Sequence, residues 1–140
     1  MKAFRSTLLA LCLGALPCLE IGCGGGKALP VVSVDPYVGP PVSLDGSGET
    51  YTVIARTPTP GWVATLDRVV EQYRRKDIYV TLRRPNPAYY YAQNQVDQQL
   101  GTSVLSADAV TLYVRILDHD EPTGNQTYDK ATQTVNVGPR

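Results

Sequence analysis

The sequence predicts an all-β fold, a small and mainly antiparallel β-sandwich of roughly six or seven strands. Three observations carry this prediction. Apolar and polar residues alternate over 78–83 and 109–117, the two-residue period of a strand with one buried face. Residues 51–56, Tyr-Thr-Val-Ile-Ala-Arg, have the β-branched and aromatic content of a third strand. Pro and Gly punctuate these runs, at Pro58, Pro60, Gly61, Pro85 and Pro87, and cannot continue a ladder.

Taken in order, the chain opens with Lys2 and Arg5, runs through an apolar stretch over 8–17, and reaches Leu19-Glu20-Ile21-Gly22-Cys23 followed by three glycines. A positive end, a short apolar run and small residues after it describe an export signal, too short to span a bilayer of about 30 Å. Residues 1–22 are therefore assigned to a removed signal. The Ile21-Gly22-Cys23 ending resembles the lipobox of bacterial lipoproteins, which implies that Cys23 becomes the acylated first residue, bearing palmitate or a similar chain. Glu20 stands where that family usually has Leu. Plain secretion is the alternative reading.

Cleavage leaves about 118 residues, enough for one small core. Cys12 and Cys18 leave with the signal, so Cys23 is the only thiol remaining, and no disulfide or cysteine-based metal site follows. The whole chain balances 13 Lys and Arg against 13 Asp and Glu, and losing Lys2, Arg5 and Glu20 barely changes that. Such neutrality gives no electrostatic case for nucleic acid or for an anionic membrane surface. Membrane attachment would come from the lipid.

Residues 23–48 are rich in Gly and Pro and read as a flexible tether, with 31–38 as a candidate edge strand. Asp45-Gly46-Ser47-Gly48-Glu49 offers oxygens but not the spacing of a calcium loop, and reads as a solvated turn. Residues 49–140 make up the domain. After the strand at 51–56, residues 62–75 support two readings. Trp62, Leu66, Val69, Val70 and Tyr73 fall on one helix face, with Thr59 as a cap and Pro60 in the first turn, which gives an α+β fold with one helix. Trp62, Ala64 and Leu66 also alternate as a strand does, with the Val69-Val70 doublet suited to a bulge. That strand would turn through 74–77, which holds neither Gly nor Asn.

Ile78, Val80 and Leu82 then face one side of a half-buried strand. Ala88-Tyr89-Tyr90-Tyr91 follows two prolines, and three consecutive tyrosines cannot share one face of a regular element. They are candidate partner-binding residues, since Tyr gives contact area at low entropy loss. The competing arrangement packs two of them on the core. Trp62, beside Pro60-Gly61, is a further partner-binding candidate at a rim, with burial in the core as its alternative.

Residues 95–103 are polar, anchored by Val96 and Leu100, and read as an edge strand or an irregular stretch. Val110, Leu112, Val114 and Ile116 alternate with Thr111, Tyr113 and Arg115 and predict a central strand. Asp118-His119-Asp120-Glu121 holds the sole histidine, but contiguous ligands rarely converge on a metal, and no nucleophile accompanies an acid/base pair. It reads as a hairpin loop. Asn125-Gln126-Thr127 matches a glycosylation acceptor that is idle in a bacterium, and 126–137 supplies a closing strand with Tyr128, Ala131, Val135 and Val137 as burial candidates.

At Thr59-Pro60-Gly61-Trp62, then Leu66-Asp67-Arg68-Val69 and Tyr79-Val80-Thr81-Leu82-Arg83-Arg84-Pro85, the chain resembles the C-terminal domain of PrcB-type protease-complex subunits of bacterial exported proteins. The likeness covers 51–117. It implies a β-sandwich, a strand rather than a helix at 62–73, and an exported protease as partner. The expected function is thus a non-catalytic envelope lipoprotein that binds another protein, with no cofactor and no metal. The alternative is a structural or carbohydrate-facing cell-surface module, in which Tyr side chains stack on sugar rings.

Overall fold

The computed structural model describes residues 28–124 and 127–134, the last two as backbone alone. Cys23, Asn125, Val135 and Val137 lie outside the described residues. The described residues form eight strands and no helix: β1 (Val32–Pro36), β2 (Val42–Asp45), β3 (Thr50–Thr57), β4 (Val63–Gln72), β5 (Arg75–Arg83), β6 (Val96–Leu105), β7 (Val110–Leu117) and β8 (Tyr128–Thr134). They build a sandwich of two sheets, ordered β1-β8-β7-β5-β4 and β2-β3-β6. The fold is all-β, as expected. The larger sheet is mixed, however, because β5 pairs β7 and β1 pairs β8 in parallel.

The parallel β5–β7 pair follows from how the chain crosses between sheets. β6 lies between them in sequence but belongs to the other sheet, so β7 returns to the first sheet running the same way as β5. Burial of Val53 and Ala55 from β3, Ile78, Val80 and Leu82 from β5, Val104 from β6, and Leu112 and Val114 from β7 forms the core between the sheets. Each large apolar side chain so buried contributes about 1.5–3 kcal/mol.

Residues 62–75 form a strand and a turn. β4 pairs antiparallel with β5, and its register slips between Leu66 and Arg68, leaving Asp67 as the extra residue. The bulge falls at Asp67 and not at the Val69-Val70 doublet. It also explains the helical look of the sequence: Ala64, Leu66 and Val69 all pack on the core, and the extra residue turns a spacing of two into one of three. The hairpin closes on Tyr73 and Arg74, since Gln72 pairs with Arg75. Arg74 adopts a left-handed backbone with φ 67°, so an arginine occupies the place where Gly or Asn was expected.

Two of the strands fall within the stretch expected to be tether. β1 edges the large sheet and β2 edges the small one, pairing with β3 through Val42 and Leu44, which pack on the core. The folded unit therefore reaches back at least to Val32. Between β2 and β3, Asp45 Oδ1 accepts a hydrogen bond from the Ser47 amide at 2.9 Å, which holds its carboxyl below the usual range and makes the stretch a turn.

The second face of the large sheet is buried as well, which alternation alone did not suggest. Tyr79 stacks on Tyr113, with ring centroids 5.1 Å apart, and meets Tyr128 edge-on at the same separation. Arg115 lies 4.5 Å over the Tyr128 ring and donates through Nε to Thr81 Oγ1 at 2.8 Å. Thr81 donates in turn to Asp67 Oδ2, which also accepts from the Tyr128 hydroxyl at 2.9 Å. Alternation from Ala64 and Leu66 puts Asp67 on this face, and the bulge sets Arg68 beside it there, opposite Tyr79. Residues 28–31 then run across it: the Ala28 carbonyl accepts from Arg68 on β4, and the Val31 carbonyl accepts from the Tyr128 amide on β8. The segment is thus held to β8 by its own backbone at one end and to β4 at the other through the Arg68 side chain.

Candidate functional site

Three connections meet at one end of the sandwich. β5 and β7 run in parallel and finish together at Arg83 and Leu117, while Val63 at the start of β4 pairs with Arg83. Thr57 at the end of β3 pairs with Val96 at the start of β6. The 58–62 turn, the 84–95 connection and the loop after β7 therefore share this end.

Gln98 holds the two sheets in place there. Its Oε1 accepts from the Ala64 amide at 2.9 Å, and its Nε2 donates to the Trp62 carbonyl at 2.7 Å and to Thr57 Oγ1 at 3.3 Å. The side chain thus bonds to β4 as a strand backbone would, although β4 belongs to the other sheet. Thr57 is fully buried and donates to the Val96 carbonyl at 3.1 Å. Nothing in the polar run 95–103 marks Gln98 over its neighbours Gln95 and Gln99.

The 84–95 connection is shaped by local bonds and one close approach. Asn86 Oδ1 accepts from the Ala88 amide at 2.9 Å, an Asx turn that follows Pro85. Tyr91 then lies against Gly61: a Cβ on that glycine would come within 2.5 Å of the ring. Only glycine admits this contact, and it joins the tyrosine connection to the 58–62 turn. Tyr89 and Tyr90 are left outside, 67 % and 106 % exposed, with Val63 54 % exposed on β4. Two tyrosines therefore face solvent and one packs, the reverse of the competing sequence arrangement. Trp62 is half-buried and packs against the core, so it supports the patch and does not project from it.

The acidic loop beside this patch is tied down by β5. Arg83 Nη1 donates to the carbonyls of Asp118, His119 and Glu121 at 2.8, 3.2 and 2.7 Å, and Arg84 pairs with Asp118 at 2.8 Å. Glu121 Oε2 accepts from the Asp118 amide at 3.0 Å. His119 faces Asp120 at 3.5 Å, and both residues are exposed. Among the described residues, no cluster of three or more His, Cys, Asp or Glu is placed to hold a metal. Arg84, Pro85, Pro87, Asp118, His119 and Asp120 line an open cleft of about 350 Å³. Comparison of the chain with family models, curated proteins and solved structures returned no match.

Proposed function

We propose that the chain is a non-catalytic lipoprotein of the bacterial envelope that binds another exported protein through this end of the sandwich. The observation that carries the reading is the packing of Tyr91 on Gly61. It fixes a connection that would otherwise be loose and presents Tyr89 and Tyr90 as exposed rings on a set framework. Preordered aromatic side chains bring contact area at small entropy loss, which is what a protein interface uses. The Arg83 and Arg84 bonds make the neighbouring acidic loop a second rigid wall, an arrangement that shapes a surface and does not serve proton transfer. The resemblance of 51–117 to PrcB-type subunits supports an exported protease as the class of partner, and acylation of Cys23, implied by the lipobox-like ending, would hold the chain on a membrane.

The test is capture from the native envelope by mild crosslinking, with the full-length tagged chain and a Tyr89→Ala, Tyr90→Ala variant. Both residues are exposed, so the fold survives their truncation. The reading expects a discrete protein partner that the variant loses. A partner retained by the variant sinks the assignment of the patch. Protection of the tyrosines by soluble cell-wall glycans, with no protein captured, transfers the function to a carbohydrate-facing module. For the anchor, Cys23→Ser is expected to abolish fatty-acid incorporation and to release the chain from membranes; incorporation that persists in the variant overturns lipidation, and unchanged attachment shows that the signal is retained as an anchor or that another region holds the chain.

A further inference from the structure

We infer that the outer face of the five-stranded sheet, where residues 28–31 cross it, lies against the bilayer that holds the lipid anchor. This rests on the lipoprotein reading and adds an orientation to it. Between Cys23 and Ala28 the chain spans at most about 17 Å when fully extended. Had the fold begun at Glu49, the tether would have reached roughly 90 Å and left the domain free to face any way. The strands β1 and β2 remove that freedom.

Where the short tether arrives decides which face is held. Ala28 sits on the outer face, bonded through its carbonyl to Arg68 on β4 at 3.1 Å. From there the chain shows apolar side chains to solvent: Leu29 is 65 % exposed and Val31 58 %, and Val34 on β1 is wholly exposed. Such a cluster of exposed aliphatic residues in a short stretch is unfavourable in water, and it lies within tether reach of acyl chains. Arg68 and Lys130, both exposed, flank the stretch and are suited to lipid phosphates. Arg68 pairs in register with Tyr79 of the buried tyrosine cluster, which puts it on the same outer face. The opposite sheet, β2-β3-β6, then faces away from the membrane, and the tyrosine patch lies at the side.

The mature lipoprotein has no free thiol, so single cysteines can be placed without interference. Leu29→Cys, Val34→Cys, Ser103→Cys and Tyr90→Cys variants of the full chain are spin-labelled in native membranes. Collision of each label with lipid-soluble oxygen and with a water-soluble nickel chelate is measured, alongside fatty-acid incorporation on the same samples. Labels at 29 and 34 are expected to favour oxygen, and those at 103 and 90 the chelate. Acylated protein in which label 34 meets the chelate as freely as label 103 overturns the orientation while leaving lipidation intact. Absence of acylation overturns both. In Cys23→Ser protein carrying Val34→Cys, with Cys12→Ala and Cys18→Ala so that position 34 holds the only thiol, the preference for oxygen is expected to vanish; if it persists in chain that has lost the signal, the face docks without the anchor and the tether argument is wrong.

Discussion

Replacing Gln98 by alanine removes three hydrogen bonds at once, two of them to main-chain groups at and just before the start of β4, which belongs to the other sheet. A typical intramolecular hydrogen bond contributes about 0.5–1.5 kcal/mol net, and a polar group left buried and unpaired costs more. The Ala64 amide and Trp62 carbonyl are only partly buried, so water replaces some of what is lost, and the expected loss is about 2 kcal/mol. With a urea m-value of about 1–1.5 kcal/mol/M for a domain of this size, the midpoint falls by roughly 1.5 M. Gln98→Glu sharpens the test. Glutamate can still accept from the Ala64 amide but cannot donate to the Trp62 carbonyl, and its charge sits beside that oxygen. It is expected to be at least as damaging as alanine. A loss under about 0.5 kcal/mol for Gln98→Ala, or a Glu variant as stable as the parent, refutes the view that this amide fastens the sheets.

Four further outcomes are expected. Arg74→Gly relieves a left-handed backbone and should raise stability by about 1 kcal/mol, read by chemical denaturation. Burial raises the Asp77 carboxyl above its ordinary value of 3.8, against a smaller opposing pull from Arg75. Between the ordinary and raised values the folded state holds more protons than the unfolded one, so stability falls as pH rises through that window; Asp77→Asn should flatten this slope in urea midpoints measured across acidic pH. Tyr79 is pushed up to about 12, chiefly by burial, and Tyr113 and Tyr128 rise for the same leading reason. The unfolded chain ionises first, so stability should drop above about pH 10, and Tyr79→Phe should weaken that drop. Asp67→Ala leaves the buried Arg115 guanidinium without its carboxylate, 3.8 Å away, and should lower stability by about 3 kcal/mol.

What the sequence conveyed depended on whether alternation survived folding. β5 and β7 kept a strict period of two, and their inward residues Ile78, Val80, Leu82, Leu112 and Val114 were read without error. β4 was ambiguous because Asp67, the one residue without a ladder partner, shifted the inward positions into helical spacing. The Tyr73-Arg74 turn was hidden because its left-handed residue is an arginine. β1 falls within 31–38, the candidate edge strand, whereas β2 was masked by the prolines before it, which end strands without preventing short ones. The outer-face cluster was illegible for another reason. Tyr79, Thr81, Tyr113 and Arg115 are what a solvated face would also show, and what encloses them is packing and bonding with Tyr128 and Asp67, which come from strands distant in sequence. At the candidate site, the tyrosine run announced that some rings must face out, but which one packs is set by Gly61, distant in sequence.

The pairing of β1 with β8 also bears on when the chain can fold. These strands come from opposite ends of the described chain, and β1 has no other neighbour in its sheet. A polypeptide threaded through a membrane with its N-terminus first delivers β1 early and β8 last. The sheet stays open until the final strand is delivered, so the native state needs the described chain from one end to the other. A chain delivered only in part keeps an unpaired edge, and the closure of so long a loop is slow.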